Sequence, residues 1–141
     1  MSAPTPDRDV TSTYEYAALQ IVPRPERGEL VNAGVVLYCQ ARDFLRASVS
    51  MDPVRVQALD PGADVDSIVQ ILDSIAESCA EPALPNAARR NELGERFRWL
   101  VAPRSTVVRA GPVHTGVTAD PAAELQRLLN QLVLPLTGPE A

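Results

Sequence analysis

The sequence predicts an α+β fold: an antiparallel three-strand meander, extended by one or two later strands, with amphipathic helices packed on the sheet. Three observations carry that prediction. Residues 14–50 hold three alternating apolar segments joined by short links. Residues 64–81 change to a spacing of three and four. A stretch rich in β-formers near 105–115 then precedes a second clear helical pattern at 120–133.

YEYAALQIV, residues 14–22, alternates with period two. Ala17, Leu19 and Ile21 share one face; Tyr14, Tyr16, Ala18 and Gln20 share the other. Pro23 and Pro25 end the strand, and PRPERGE makes the connection, with Gly28 suited to a positive φ. LVNAGVVLYC, residues 30–39, is the second strand. Strict alternation puts Val31, Ala33, Val35, Leu37 and Cys39 on its core face and Leu30, Asn32, Gly34, Val36 and Tyr38 on the opposite face. After the tight link QARD, FLRASVS repeats the pattern, with Leu45, Ala47 and Val49 pointing one way. Short links between short strands favour an antiparallel meander.

DPVRVQAL is read as a short helix with Pro53 at its first position. In DVDSIVQILDSIAESCAE, Val65, Ile68, Val69, Leu72, Ile75, Ala76 and Cys79 form a helical stripe, with Asp64 as N-cap. EPALPNAAR is expected to be a loop. NELGERFRWLV is expected to be helical, with Leu93, Phe97 and Leu100 on one face; Gly94 weakens a helix and leaves an irregular strand as the alternative. STVVRA, residues 105–110, reads as a strand, and VHTGV continues that edge after the Gly111–Pro112 bend. DPAAELQRLLNQLV closes the fold as a helix capped by Asp120, with Leu125, Leu128, Leu129, Leu132 and Val133 buried.

The 141-residue chain fits one domain, expected over 14–135, with a disordered tail at 1–13 and a short tail at 136–141. A hydrophobic content of 45% supports a sizeable core. No apolar run approaches the roughly 20 residues of a membrane-spanning helix. The N-terminal residues lack the basic and apolar regions of a signal peptide, so a cytoplasmic protein is expected. The net charge is −5, and all 13 basic residues are arginine. This acidity disfavours a broad nucleic-acid surface. Cys39 and Cys79 form no CxxC pair and are read as small buried residues. With His114 the sole histidine, no metal site is assigned, and no cofactor is named by any motif.

Arg24, Glu26, Arg27 and Glu29 alternate in sign at the entrance to the second strand and predict a local salt-bridge network. Asn32 needs hydrogen-bond partners if its sheet face is covered. Arg104 and Ser105 offer donors for phosphate or carboxylate, and a histidine such as His114 can exchange a proton near neutral pH. The glycine spacing and lysine of a phosphate loop are missing, as is GxSxG. Trp99 is read as a core anchor, with a partner surface shared with nearby arginines as the alternative.

YEYAALQIVPRPERGELVNAGVVLYCQARDFLRASV and FRWLVAPRSTVVRAGPVHTGVTADPAAELQRLLNQLV together resemble the opening and closing segments of a bacterial family, domain of unknown function 3037. The resemblance implies a small single-domain protein without a settled activity, encoded beside HipA-like kinases. Its family-like polar positions are Arg24, Glu29, Asn32, Arg104, Ser105 and His114, with Gly34 and Trp99 as structural companions. Ala33 stands where the family pattern has valine. Two functional readings follow. The first is an accessory or protein-interaction domain with a HipA-like kinase as partner. The second is an enzyme or binding protein for a phosphate-bearing or nucleotide-like ligand. There Glu29 and His114 are the catalytic candidates, and Arg24, Asn32, Arg104 and Ser105 the ligand-binding candidates. A homodimer through an exposed sheet edge is a further expectation.

Overall fold

A computed structural model describes residues 10–82, 87–104 and 106–136, with the side chains of 87–90 left aside. Residues 1–9 of the expected 1–13 tail, residues 137–141 of the expected 136–141 tail, part of the expected EPALPNAAR loop, and the candidate Ser105 lie outside the described residues.

Strand β1 spans Ser12–Ile21, β2 Val31–Cys39 and β3 Phe44–Val49. Helices α1 (Pro53–Leu59), α2 (Val65–Ala80) and α3 (Ala87–Val101) follow. Strands β4 (Val108–Ala110) and β5 (His114–Thr118) lead into α4 (Pro121–Leu132). The sheet order is β3-β2-β1-β4, with β5 also pairing β1, and all its pairings are antiparallel. The α+β meander therefore stands as the sequence predicts. Strands β4 and β5 form one interrupted edge: β4 pairs Leu19–Ile21, and β5 pairs Ser12–Tyr16. At the bend, the Gly111 N–H still donates to the Ala18 carbonyl at 2.8 Å.

The two expected caps, Asp64 and Asp120, form, and Asp52 adds a third. Asp52, Asp64 and Asp120 accept from the backbone N–H groups of Val54, Ser67 and Ala123, satisfying donors that a helix start leaves open. Gly28 adopts φ 69°, closing the turn before β2. Helix α3 begins at Ala87, inside the segment expected to be a loop, and stays helical through Gly94. The reason for a glycine there is spatial. A Cβ at Gly94 would stand 2.9 Å from the Tyr38 hydroxyl oxygen, so the missing side chain lets α3 lie close to the sheet.

Two apolar layers sandwich the sheet. On one face Ala17, Leu19 and Ile21 pack with α2 and α3 through Ile68, Leu72, Leu93 and Phe97. On the other, Tyr14, Val35 and Leu37 pack with α4 through Leu125, Leu128 and Leu129. The strict alternation expected for β2 fails for an identifiable reason. Leu19 pairs with Gly34 and Gln20 with Asn32, leaving Ala33 as the extra residue of a β-bulge. Ala33 and Gly34 then lie toward the same layer, and parity reverses beyond them. Val36 and Tyr38 face α2 and α3, while Val35, Leu37 and Cys39 face α4. Ala33 through Cys39 are all buried, so β2 is a central strand covered on both sides.

Helix α4 is tied to the sheet by a polar group at each end. Near its start, the Tyr14 hydroxyl donates to Glu124 at 2.5 Å, and Arg127 donates to the same carboxylate. Arg127, and secondarily Tyr14, hold the Glu124 carboxyl below its usual range. Burial, reinforced by the adjacent Glu124, pushes the Tyr14 phenol up to about 12. A lowered carboxylate pKa in the fold gives stability that is present above the ordinary glutamate value and is lost as pH falls through the folded value. Tyr14→Phe should therefore cost about 1.5–3 kcal/mol at neutral pH, the scale of a hydrogen bond to a charged group. Its deficit relative to wild type should shrink in urea melts below about pH 4, where glutamate protonates in both chains.

Candidate functional site

The candidates from the sequence separate into three places. The first is the turn before β2. Arg27 pairs with Glu29, and Arg24 pairs with Glu26 at 3.8 Å and with Asp60 at 3.2 Å. The expected salt-bridge network forms, with most of its side chains well exposed, where such pairs contribute little stability. Arg24 thereby links this turn to the residue that ends α1. Glu29 and Arg24 engage these neighbours and line none of the cavities described below.

The second place is the end of α4 against the bulged part of the sheet. Asn32, just before the bulge, faces α4, where its Nδ2 donates to the Leu132 carbonyl at 3.2 Å. Arg55 donates to the Val133 carbonyl at 3.2 Å. Both carbonyls belong to the helix end, which otherwise lacks donors. Asn32 thus has a structural task, but only one side of its carboxamide performs it. Its Oδ1 is buried and has no hydrogen-bond partner. A small cavity of about 180 Å³ lies here, bordered by Tyr16, Gln20, Asn32, Pro112 and His114. The His114 ring lies over Tyr16, with centroids 5.3 Å apart and planes inclined by 33°. The structure thus brings two of the candidates, Asn32 and His114, to one cavity.

The third place is the open side of α2 and α3. Phe97 and Leu100 face inward, and Trp99 is 65% exposed. The expected core anchor is therefore an outward-facing residue. Two residues advance a helix by about 200°, so Trp99 and Phe97 cannot share a face. The Arg104 guanidinium stacks on the indole at 3.8 Å and donates to the Trp99 carbonyl at 2.6 Å. Together they border a groove of about 830 Å³ between α2, the end of α3 and the segment leading into β4. Ile71 and Ile75 form its α2 wall, and Leu100 and Val107 continue its apolar surface. Arg104 is its only charged lining residue among the described residues.

The family model for a protein of unknown function (DUF3037) matches residues 16–133. The chain belongs to this family. Comparison with curated proteins and with solved structures found no match. In this DUF3037 chain the matched region contains every element from β2 to α4 and most of β1. All three places therefore lie inside the family domain.

The sequence pattern places Tyr16, Gln20 and Asn32 on the sheet face away from Ala17, Leu19 and Ile21, and in this DUF3037 chain all three border the same cavity. Asn32 precedes the bulge and keeps the face expected for it; the bulge instead carries Val35, Leu37 and Cys39 to that face and Val36 and Tyr38 away from it. Tyr38, expected beside them, instead faces α3, where it stacks on Phe97 at 5.4 Å. The two cysteines are free and buried, as their small apolar settings predict. Burial pushes the Cys79 thiol up to about 11, which disfavours the nucleophilic thiolate. Among the described residues, no group of three or more His, Cys, Asp or Glu side chains is placed to hold a metal. No described helix is long and apolar enough to cross a membrane.

Proposed function

We propose that this protein is a cytoplasmic protein-interaction domain, with its docking surface in the groove beside Trp99. The supporting observation is the 65% exposed indole, held in place by Arg104 on the rim of a mainly apolar groove. Trp and Arg are the residue types most often dominant at protein interfaces, and Trp combines large contact area with few rotatable bonds. The occupant is a partner's apolar segment bearing an acidic side chain. Its apolar part meets Ile71, Ile75 and Leu100; its carboxylate meets Arg104. The charge argument is local: the chain carries −5 overall, yet the groove's charged lining residue is an arginine.

The HipA-like kinase implied by the family resemblance is the first partner to test. Co-purification and calorimetric titration should show the complex at or below tens of micromolar. Trp99→Ala should leave the thermal midpoint nearly unchanged, since exposed substitutions usually fall within about 0.5 kcal/mol. Binding should weaken by about 2 kcal/mol or more, roughly thirtyfold. Equal binding by wild type and Trp99→Ala would remove this groove as the docking surface, while no complex with the kinase would remove that partner.

A further inference from the structure

The cavity beside Asn32 carries a second reading that does not depend on the docking groove. Gln20 and Pro112 border both this 180 Å³ cavity and a shallower groove of about 370 Å³. The groove extends to Arg104 and Arg109. Because Gln20 pairs with Arg109 across β1 and β4, their side chains leave the sheet on the same face. Asn32 pairs with Gln20 from the other side, so Asn32, Gln20 and Arg109 form a cross-strand row over three strands.

The chemistry changes along this row. At the inner end, Asn32 presents an unpartnered buried acceptor, next to the Tyr16 and His114 rings. A buried acceptor without a donor is unfavourable, and an incoming N–H would satisfy it. At the outer end, the Arg109 side chain has no hydrogen-bond or ion-pair partner among the described residues. A free guanidinium suits phosphate or carboxylate. The inner cavity falls below the roughly 300–1,000 Å³ of sites for larger organic ligands, which favours one ring over two.

The geometry points to a binding site for a single-ring nitrogen heterocycle carrying an anionic arm, the chemistry of a pyrimidine nucleotide. A ring or exocyclic N–H donates to Asn32 Oδ1. The ring lies against Tyr16 and His114, Gln20 contacts its edge, and Arg109 holds the anion. Asn32 and His114 keep places in a candidate site. Arg104 stands at its outer margin, and Glu29 is replaced by Arg109 and Gln20.

The sole histidine supplies the reporter. The full chain should be titrated with UMP, CMP, AMP and inorganic phosphate while the His114 imidazole signals are followed by NMR. UMP or CMP should produce a saturable shift with a Kd at or below about 1 mM, tighter than AMP. Phosphate alone should not reproduce it. Arg109→Ala, with an unchanged thermal midpoint as its folding control, should weaken binding about tenfold or more. The assignment is overturned by no saturable shift from either pyrimidine nucleotide. It is equally overturned by an identical shift from phosphate alone, by tighter binding of AMP, or by full binding in a folded Arg109→Ala variant.

Discussion

Phe97→Ala should destabilise the domain by about 3–5 kcal/mol, the range for removing a large buried aromatic side chain. Phe97 is 1% exposed and is the largest fully buried side chain among the described residues. It stacks on Tyr38 at 5.4 Å and joins the layer between the sheet, α2 and α3. Truncation leaves a cavity beside a central strand, where neighbours on both sides limit collapse. A thermal shift of about 2–4 °C per kcal/mol, appropriate to a chain approaching this size, makes the loss readily visible in calorimetry. The same change should weaken partner binding through the groove, because Phe97 anchors the helix that presents Trp99. The contrast with Trp99→Ala is diagnostic: one variant loses stability and binding together, the other binding alone.

Gly34→Val is expected to have a comparable effect by the opposite mechanism. A Cβ at Gly34 would lie 2.8 Å from the Ser48 carbonyl oxygen, 3.0 Å from Val49 Cγ1 and 3.2 Å from Leu19 Cδ1. The closest obstacle is backbone, so a rotamer change cannot relieve it. The chain must separate β2 from β3 or displace Leu19 from the core. Overpacking typically costs about 1–3 kcal/mol; valine should reach or exceed the upper end, and alanine should fall within it. Urea melts of both variants test this ordering. A Gly34→Val midpoint equal to wild type would mean that the strand junction yields freely. Since Gly34 follows the bulged Ala33, this strain acts where Asn32 is turned toward α4. Heteronuclear NMR should therefore show shifts extending from β2 to His114.

Local pattern was a sound guide wherever one chain segment decides its own structure. Pro53 and Pro121 after aspartate mark helix starts because proline suits the first helical turn and aspartate caps it. The alternating residues of β1 sort correctly between the two layers because that strand keeps its period throughout. The Gly111–Pro112 bend is visible because proline removes a ladder donor. The α3 start was less legible: EPALPNAAR reads as a loop from its prolines, although the helix begins at Ala87. Gly94 was similarly ambiguous, since its purpose is the closeness of Tyr38, a residue far away in sequence.

The candidate site was legible as a set of residue types and illegible as an arrangement. Asn32 and His114 could be named from polarity and family resemblance, but their shared cavity depends on β1 lying between β2 and β5. Arg109 looks like any strand arginine until its pairing places it in line with Gln20. Trp99 looks like a core residue until the inward side of α3 is fixed by Phe97 and Leu100.

The amino-acid order thus determined the element types, the meander, the helix caps and membership of the family, because each follows from short-range periodicity or a long ordered match. The folded arrangement determined which side of β2 each residue occupies, since one bulged residue reverses every side chain beyond it. It also separated Glu29 from the cavity shared by Asn32 and His114 and turned Trp99 outward. Those outcomes depend on strand register and helix orientation, which are set by contacts between segments far apart in the chain.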